Sequence, residues 1–187
     1  MEDGANILRI LKETKEALKK EDNLKLKDLS NQTIHTASSS QDPENIAIAV
    51  IVYSLSKIIE RKKMQGYSGW KKFYMNAEKS IDNLTHAIGE KNQQKFMENV
   101  ALFRKSINKL SGKLKTYVQD VFRKASINKA SRIYEHGISM ERTASLLGIT
   151  MFELANYAGQ TGISDVPESK TISVKQRIKF VQEIFSG

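Results

Sequence analysis

Residues 41–62, QDPENIAIAVIVYSLSKIIERK, contain the longest apolar run of the chain and decide its fold class. Asp42 is suited to cap a helix, because its carboxylate can accept hydrogen bonds from the unpaired amides of the first turn. Pro43 fits the first helical position, where a missing N–H costs nothing. Apolar residues then occupy most sides of the segment as far as Ile59, which predicts a central core helix.

The same helical spacing recurs on both sides of this stretch. Apolar stripes at three- and four-residue intervals predict further helices over residues 6–20, 26–37, 68–88, 92–110 and 114–125. No segment alternates apolar and polar residues for long enough to form a strand. Residues 1–125 are therefore predicted to form an α-helical bundle of about five helices.

Two residues define the expected helix ends in the second half of this bundle. Ser68 is placed to cap the helix that contains Trp70. Gly112 costs only about 1 kcal/mol inside a helix, so it either breaks the segment around it or is carried through. A break, which gives two antiparallel helices, is the favoured interpretation.

Composition excludes several classes of function. The chain has 187 residues, 40% of them hydrophobic, and no cysteine, which excludes disulfides, thiolate zinc sites and cysteine nucleophiles. The three histidines are not in a metal-binding spacing, and there is no glycine-rich phosphate loop. Arg132 and His136 are one residue closer than in the motif of helical ribonucleases. We therefore expect a non-enzymatic protein without metal or cofactor, and a cytoplasmic one, since the apolar run is too short to span a membrane.

Positive charge is concentrated in the middle of the chain. Residues 61–132 hold 17 Lys/Arg and 5 Asp/Glu, a net charge of +12. The net charge is −2 over residues 1–60 and −1 over residues 133–187. A field of this size attracts polyanions without regard to sequence, which makes nucleic acid the natural partner class. Simple solvation of long helices by lysine explains the same charge about equally well.

Residues 137–159, GISMERTASLLGITMFELANYAG, have the pattern of two short helices joined by a tight turn. A small Ala144 lets the two helices approach, and Gly148 suits a left-handed conformation in the turn. Thr150 and Glu153 have the spacing of a capping box at the start of the second helix. These features predict a helix-turn-helix. Its interior is predicted to hold Leu147, Ile149, Leu154 and Tyr157, with Ser139 capping the first helix.

A longer pattern includes this segment and the residues just before it. It reads Tyr-x-x-Gly, Ile-Ser, an alanine in the first helix, Leu-Gly-Ile-Thr, and a following helix with aromatic and leucine positions. The matching residues are Tyr134, Gly137, Ile138, Ser139, Ala144, Leu147, Gly148, Ile149, Thr150, Phe152 and Leu154. Over residues 130–163 the chain resembles the helix-turn-helix of small prokaryotic antitoxin-like proteins, which are often paired with PIN-domain toxins. The resemblance implies a DNA-associated regulatory role, although the basic bundle is not part of the family pattern.

If the second helix enters a DNA major groove, its first turns present the contacting residues. Asn156 is suited to a bidentate contact with adenine, and Thr150 to a phosphate or a base edge. Met151, Phe152 and Ala155 form an apolar patch, which equally suits a protein partner. Because this helix has no Lys or Arg, phosphate affinity is expected from its surroundings. The predicted contacts to double-stranded DNA are Lys124, Lys129, Arg132, Ser139, Arg142, Thr150, Met151, Phe152 and Asn156.

The predicted architecture is all-α: a helical bundle (1–125), a helix-turn-helix (126–163), and a linker with a C-terminal helix (164–187). The terminal helix begins at a capping box, Ser173 and Gln176, and either packs on its own bundle or exchanges between the subunits of a homodimer. The expected function is DNA binding or transcription regulation. The alternative is a helical adaptor whose helix-turn-helix contacts protein, with the lysine-rich middle serving solubility or RNA binding.

Overall fold

The structure, a computed structural model, describes residues 4–40, 43–134, 141, 144 and 149–160. These residues contain seven α-helices and one short 3-10 helix, and no β-strand occurs among them. The all-α prediction is confirmed. The α-helices are α1 (Gly4–Lys19), α2 (Asn23–Ser40), α3 (Pro43–Glu60), α4 (Trp70–Gly89), α5 (Gln93–Asn108), α6 (Gly112–Tyr134) and α7 (Met151–Gln160), and the 3-10 helix covers Lys62–Gly66.

The central helix is α3, as the apolar run predicts. It packs most extensively against α2 and also contacts α1, α5 and α6. Two hydroxyl groups fix α2 and α3 together: Ser30 donates to the carbonyl of Ala49 at 2.8 Å, and Ser56 donates to the carbonyl of Asn23 at 3.0 Å. Both serines are buried, so each of these bonds satisfies a polar group that water cannot reach.

Two groups of buried side chains form the interior. The main core joins α1 to α6, and its largest fully buried members are Phe96 and Phe103. A smaller second core lies where α2, α3 and α6 meet α7, and Phe122 of α6 packs against both cores. The buried members of the second core are Ile34, Ile46, Ala49, Val50, Ala125 and Leu154.

The helix ends agree with the sequence at some positions and differ at others. Asn92 caps α5, because its side chain accepts a hydrogen bond from the amide of Lys95 at 2.9 Å. Gly112 has a φ of +57°, and the chain turns there between α5 and α6, so the predicted break is confirmed. The prediction that Ser68 caps α4 is wrong. The residue before α4 is Gly69, and its φ of +91° favours glycine. Glycine has no side chain that could cap the helix.

The last helix of the bundle continues beyond position 125. Residues 4–40 and 43–134 contain six α-helices, one for each of the six apolar segments of the sequence. The sixth, α6, runs without interruption across position 125, where the sequence placed a domain boundary. The basic residues Arg123, Lys124, Lys129 and Arg132 therefore lie in the second half of a bundle helix.

Several sequence predictions fall outside the described residues. They are the helix caps at Asp42 and Ser139, the interior Leu147, the left-handed turn at Gly148, the histidine of the Arg132–His136 pair, and the linker and C-terminal helix of residues 164–187. Among the helices that the structure describes, none combines the length and apolar character that crossing a bilayer requires.

Candidate nucleic-acid interface

The second helix of the predicted helix-turn-helix is α7, and it begins at the predicted capping box. The amide of Thr150 and its hydroxyl each donate to Glu153 Oε2 at 2.8 Å. In return, the amide of Glu153 donates to Thr150 Oγ1 at 3.1 Å. These bonds satisfy amide groups that a helix start leaves without partners, so the capping prediction is confirmed.

Glu153 is also joined to the bundle by an ion pair. Arg123 Nε of α6 donates to Glu153 Oε1 at 2.7 Å. The backbone amide of Thr150, its hydroxyl and the Arg123 guanidinium together lower the pKa of Glu153 to about 2. The only carboxylate of α7 is thus held as an anion by three groups that also fix the position of the helix start.

Apolar packing holds α7 against the bundle through Leu154. Leu154 is fully buried in the second core, against residues of α2, α3 and α6. Ile149, one residue before the cap, is half-buried and packs on the same core, so Ile149 and Leu154 have the arrangement of a hydrophobic staple around the capping box. Ala144 is buried, and its carbonyl accepts from the amide of Ile149 at 3.1 Å. The small residue expected between the two helices therefore lies in the interior.

The opposite face of α7 is open to solvent. Its five predicted outward residues, Thr150, Met151, Phe152, Ala155 and Asn156, are all exposed. Phe152 is 79% exposed and Met151 is 50% exposed, values that are high for large apolar side chains. Asn156 lies one turn after Phe152, so the two share one face. This face can contact a partner without any rearrangement of the bundle.

Basic side chains from two helices lie beside the start of α7. A groove of 250 Å³ brings Arg104 of α5 and Arg123 of α6 together with Ile149 and Glu153. Arg104 and Arg123 are both exposed. Arg104 was not among the predicted contacts, because no feature of the sequence shows that α5 passes beside α7. The start of α7 therefore has two cationic neighbours, Arg104 on α5 and Arg123 on α6.

The predicted phosphate contacts on α6 are in different environments. Lys124 is exposed, and its ammonium pairs with Asp120 at 2.8 Å. Lys129 is only 1% exposed: its Nζ lies 4.2 Å from the ring centroid of Tyr53 and donates to Asn31 Oδ1 at 3.2 Å. The prediction that Lys129 contacts phosphate is therefore corrected, because its charge is held in the interior by an aromatic face and an amide.

The other predicted contacts lie outside the described residues. They are the side chain of Arg132 and the residues Ser139 and Arg142. The first helix of the motif is described only at Glu141 and Ala144, both helical.

Comparison with protein families, with proteins of established function and with solved structures gives no match. In the part of the chain that the structure describes, no group of three or more His, Cys, Asp or Glu side chains could hold a metal ion.

Proposed function

We propose that this chain binds double-stranded DNA without catalysing a reaction, through the exposed face of α7 and the basic side chains beside it. The observation that carries the proposal is the shared groove of Arg104, Arg123 and the start of α7. A recognition helix without basic residues needs phosphate contacts from neighbouring elements, and α5 and α6 supply them.

The ion pair with Glu153 leaves Arg123 able to bind phosphate. Only Nε donates to Glu153, so the two terminal NH₂ groups of a guanidinium that is 65% exposed still carry hydrogen-bond donors. The same pair neutralises the one carboxylate of α7 that would otherwise repel the DNA backbone. The positive end of the α7 dipole lies at the same place and favours an anion there.

The division of roles follows from the residue types. Arg104, Arg123 and Lys124 would contact phosphates and set affinity, whereas Asn156 would contact a base edge and set preference. Thr150 already uses its hydroxyl in the capping box, which leaves it a minor role. The resemblance to antitoxin-like proteins adds transcription regulation as the biological setting of this binding.

Fluorescence anisotropy with a random-sequence DNA duplex, measured over a series of salt concentrations, tests the proposal. Replacing Arg104, Arg123 and Lys124 by alanine should weaken binding and lower the slope of log K against log salt by about 2–3, roughly one for each lost contact. The matched control replaces the exposed Lys12, Lys20 and Lys79, which lie on or just after α1 and on α4, whereas α7 packs on α6. An equal loss in both variants, or no binding by the parent chain at low salt, refutes the proposal.

Asn156→Ala separates base reading from phosphate binding. Selection from random duplexes should give a preferred sequence for the parent chain and a relaxed preference for the variant, at nearly unchanged non-specific affinity. A preference that is identical in the two proteins excludes groove reading by this residue.

One observation favours a second function, that of a protein-interaction adaptor. Met151 and Phe152 expose large apolar surface on the same helix, and such residues are enriched in the centres of protein interfaces. In this case Phe152→Ser abolishes capture of a protein partner and leaves DNA binding intact. If the chain binds DNA as proposed, the Arg104, Arg123 and Lys124 variant should lose more DNA affinity than Phe152→Ser does.

A further inference from the structure

A second groove lies on a different side of α6, between α3, α6 and α7. Its volume is 690 Å³, which is within the range of small-molecule binding sites. One tyrosine from each helix lines it: Tyr53 from α3, Tyr117 from α6 and Tyr157 from α7. Of the residues assigned to DNA contact, only Lys124 also lines this groove.

Hydrogen bonds hold two of these tyrosines in fixed positions. The hydroxyl of Tyr117 donates to the carbonyl of Lys57 at 3.0 Å, and Asn128 Nδ2 donates to Tyr157 Oη at 3.3 Å. A tyrosine hydroxyl is protonated at neutral pH, and burial raises the pKa of Tyr117 further. All three rings are half-buried, which leaves part of each ring facing the groove. The remaining apolar lining comes from Val121, Ala125 and Ile127.

Three cations and two carboxylates surround the aromatic lining. Lys57 pairs with Glu60 at 2.8 Å, and Lys124 pairs with Asp120 at the same distance. Each pair joins two residues of the same helix, α3 for Lys57 and α6 for Lys124, and its side chains are partly exposed, so it is weak. Each lysine can therefore exchange its carboxylate for a bound phosphate with little loss of pairing energy.

Arg61 differs from these two lysines. Its guanidinium carbon lies 5.4 Å from the ring centroid of Tyr117, and among the described residues it forms no ion pair. An exposed guanidinium that is stacked on an aromatic ring presents a flat face and a row of donors. The flat face can stack on a second planar ring, and the donors match two oxygens of a phosphate.

We propose that this groove binds a small anionic aromatic ligand, a planar ring that carries a phosphate, of the size and chemistry of a nucleoside monophosphate. The ring lies against the tyrosines and the apolar lining, and the phosphate pairs with Arg61. Lys57 or Lys124 completes the neutralisation of the phosphate. Because Tyr157 belongs to α7, a bound ligand touches the helix to which DNA contact is assigned. The ligand site itself does not depend on that assignment.

Isothermal titration calorimetry on the full chain tests the site with AMP, GMP, CMP and UMP as probes. At least one monophosphate should bind saturably with one site per chain. Its nucleoside, which lacks the anion, and inorganic phosphate, which lacks the ring, should each bind at least tenfold more weakly, since each makes only part of the contacts. Equal affinity for inorganic phosphate shows simple charge attraction and overturns the proposal, as does the absence of saturable binding by all four probes.

Three variants locate the binding. Arg61→Ala should weaken the monophosphate about tenfold or more, because it removes a charged hydrogen-bond pair, and it should keep the fold since Arg61 is exposed. Lys63→Ala is the matched control, an exposed cation two residues away that does not line the groove. Tyr117→Phe keeps the ring and should keep most of the affinity, with circular dichroism as a check on folding. Equal effects of Arg61→Ala and Lys63→Ala place the ligand elsewhere and refute the site.

Discussion

Replacing Leu154 by alanine should release α7 from the bundle. Leu154 is fully buried in the second core, and α7 has only ten residues, too few for an isolated helix to be stable in water. A buried Leu→Ala change costs about 2–5 kcal/mol, through lost burial and the cavity left behind. The capping box contributes about 1 kcal/mol, and the exposed Arg123–Glu153 pair adds little, so together they cannot replace the burial of Leu154.

The expected result is local rather than global unfolding. Hydrogen exchange should become fast over residues 149–160, while the main core around Phe96 and Phe103 keeps its protection. DNA affinity should also fall, because the start of α7 loses its position beside Arg104 and Asn156 is no longer held on an ordered helix.

A matched control is available on α5. Leu102 is 59% exposed, so Leu102→Ala should change the free energy of unfolding by less than about 0.5 kcal/mol and leave exchange over residues 149–160 unchanged. If Leu154→Ala behaves like Leu102→Ala in both urea denaturation and hydrogen exchange, α7 is not held on the bundle by Leu154.

Three further changes test other parts of the structure. The low pKa of Glu153 stabilises α7 above the carboxyl's ordinary value of 4.5, and this contribution is lost as the pH falls from there towards 2; Glu153→Gln should abolish that part of the pH dependence of helix content, measured by circular dichroism. Lys129→Ala should lower the free energy of unfolding in urea by about 2–4 kcal/mol, whereas Lys124→Ala should change it by less than about 0.5 kcal/mol; equal effects contradict the burial of Lys129. Gly112→Ala should cost about 1–2 kcal/mol in the same assay, because a Cβ there has no neighbour within 4 Å and only the positive φ opposes it; a neutral result argues against the left-handed turn.

Local features of the structure could be predicted from the sequence. The capping box of Thr150 and Glu153 and the helix start at Pro43 each depend on residues within three positions of one another. Bonds of this range need no knowledge of the tertiary structure. Ser68 shows the limit of such reasoning, since a left-handed residue at Gly69 takes the position that a capping serine would need.

Long-range features could not be predicted in this way. The burial of Lys129 depends on Asn31, which is 98 positions away in the sequence, and on Tyr53 of another helix. In the sequence Lys129 is one basic residue among many. The arrival of Arg104 beside α7 and the meeting of three tyrosines in one groove are likewise results of helix packing, and no spacing along the chain indicates them.

Because α6 is one continuous helix, residues cannot be inserted into it or deleted from it without disturbing the packing. Its 23 residues extend over about 35 Å, with Leu114 and Val118 in the main core and Ala125 in the second. One inserted residue between Val118 and Ala125 would rotate everything beyond it by about 100°, and the two cores could not both remain filled. Relatives of this protein should therefore vary in residue type along this helix while keeping its register, with insertions and deletions confined to the segments between helices.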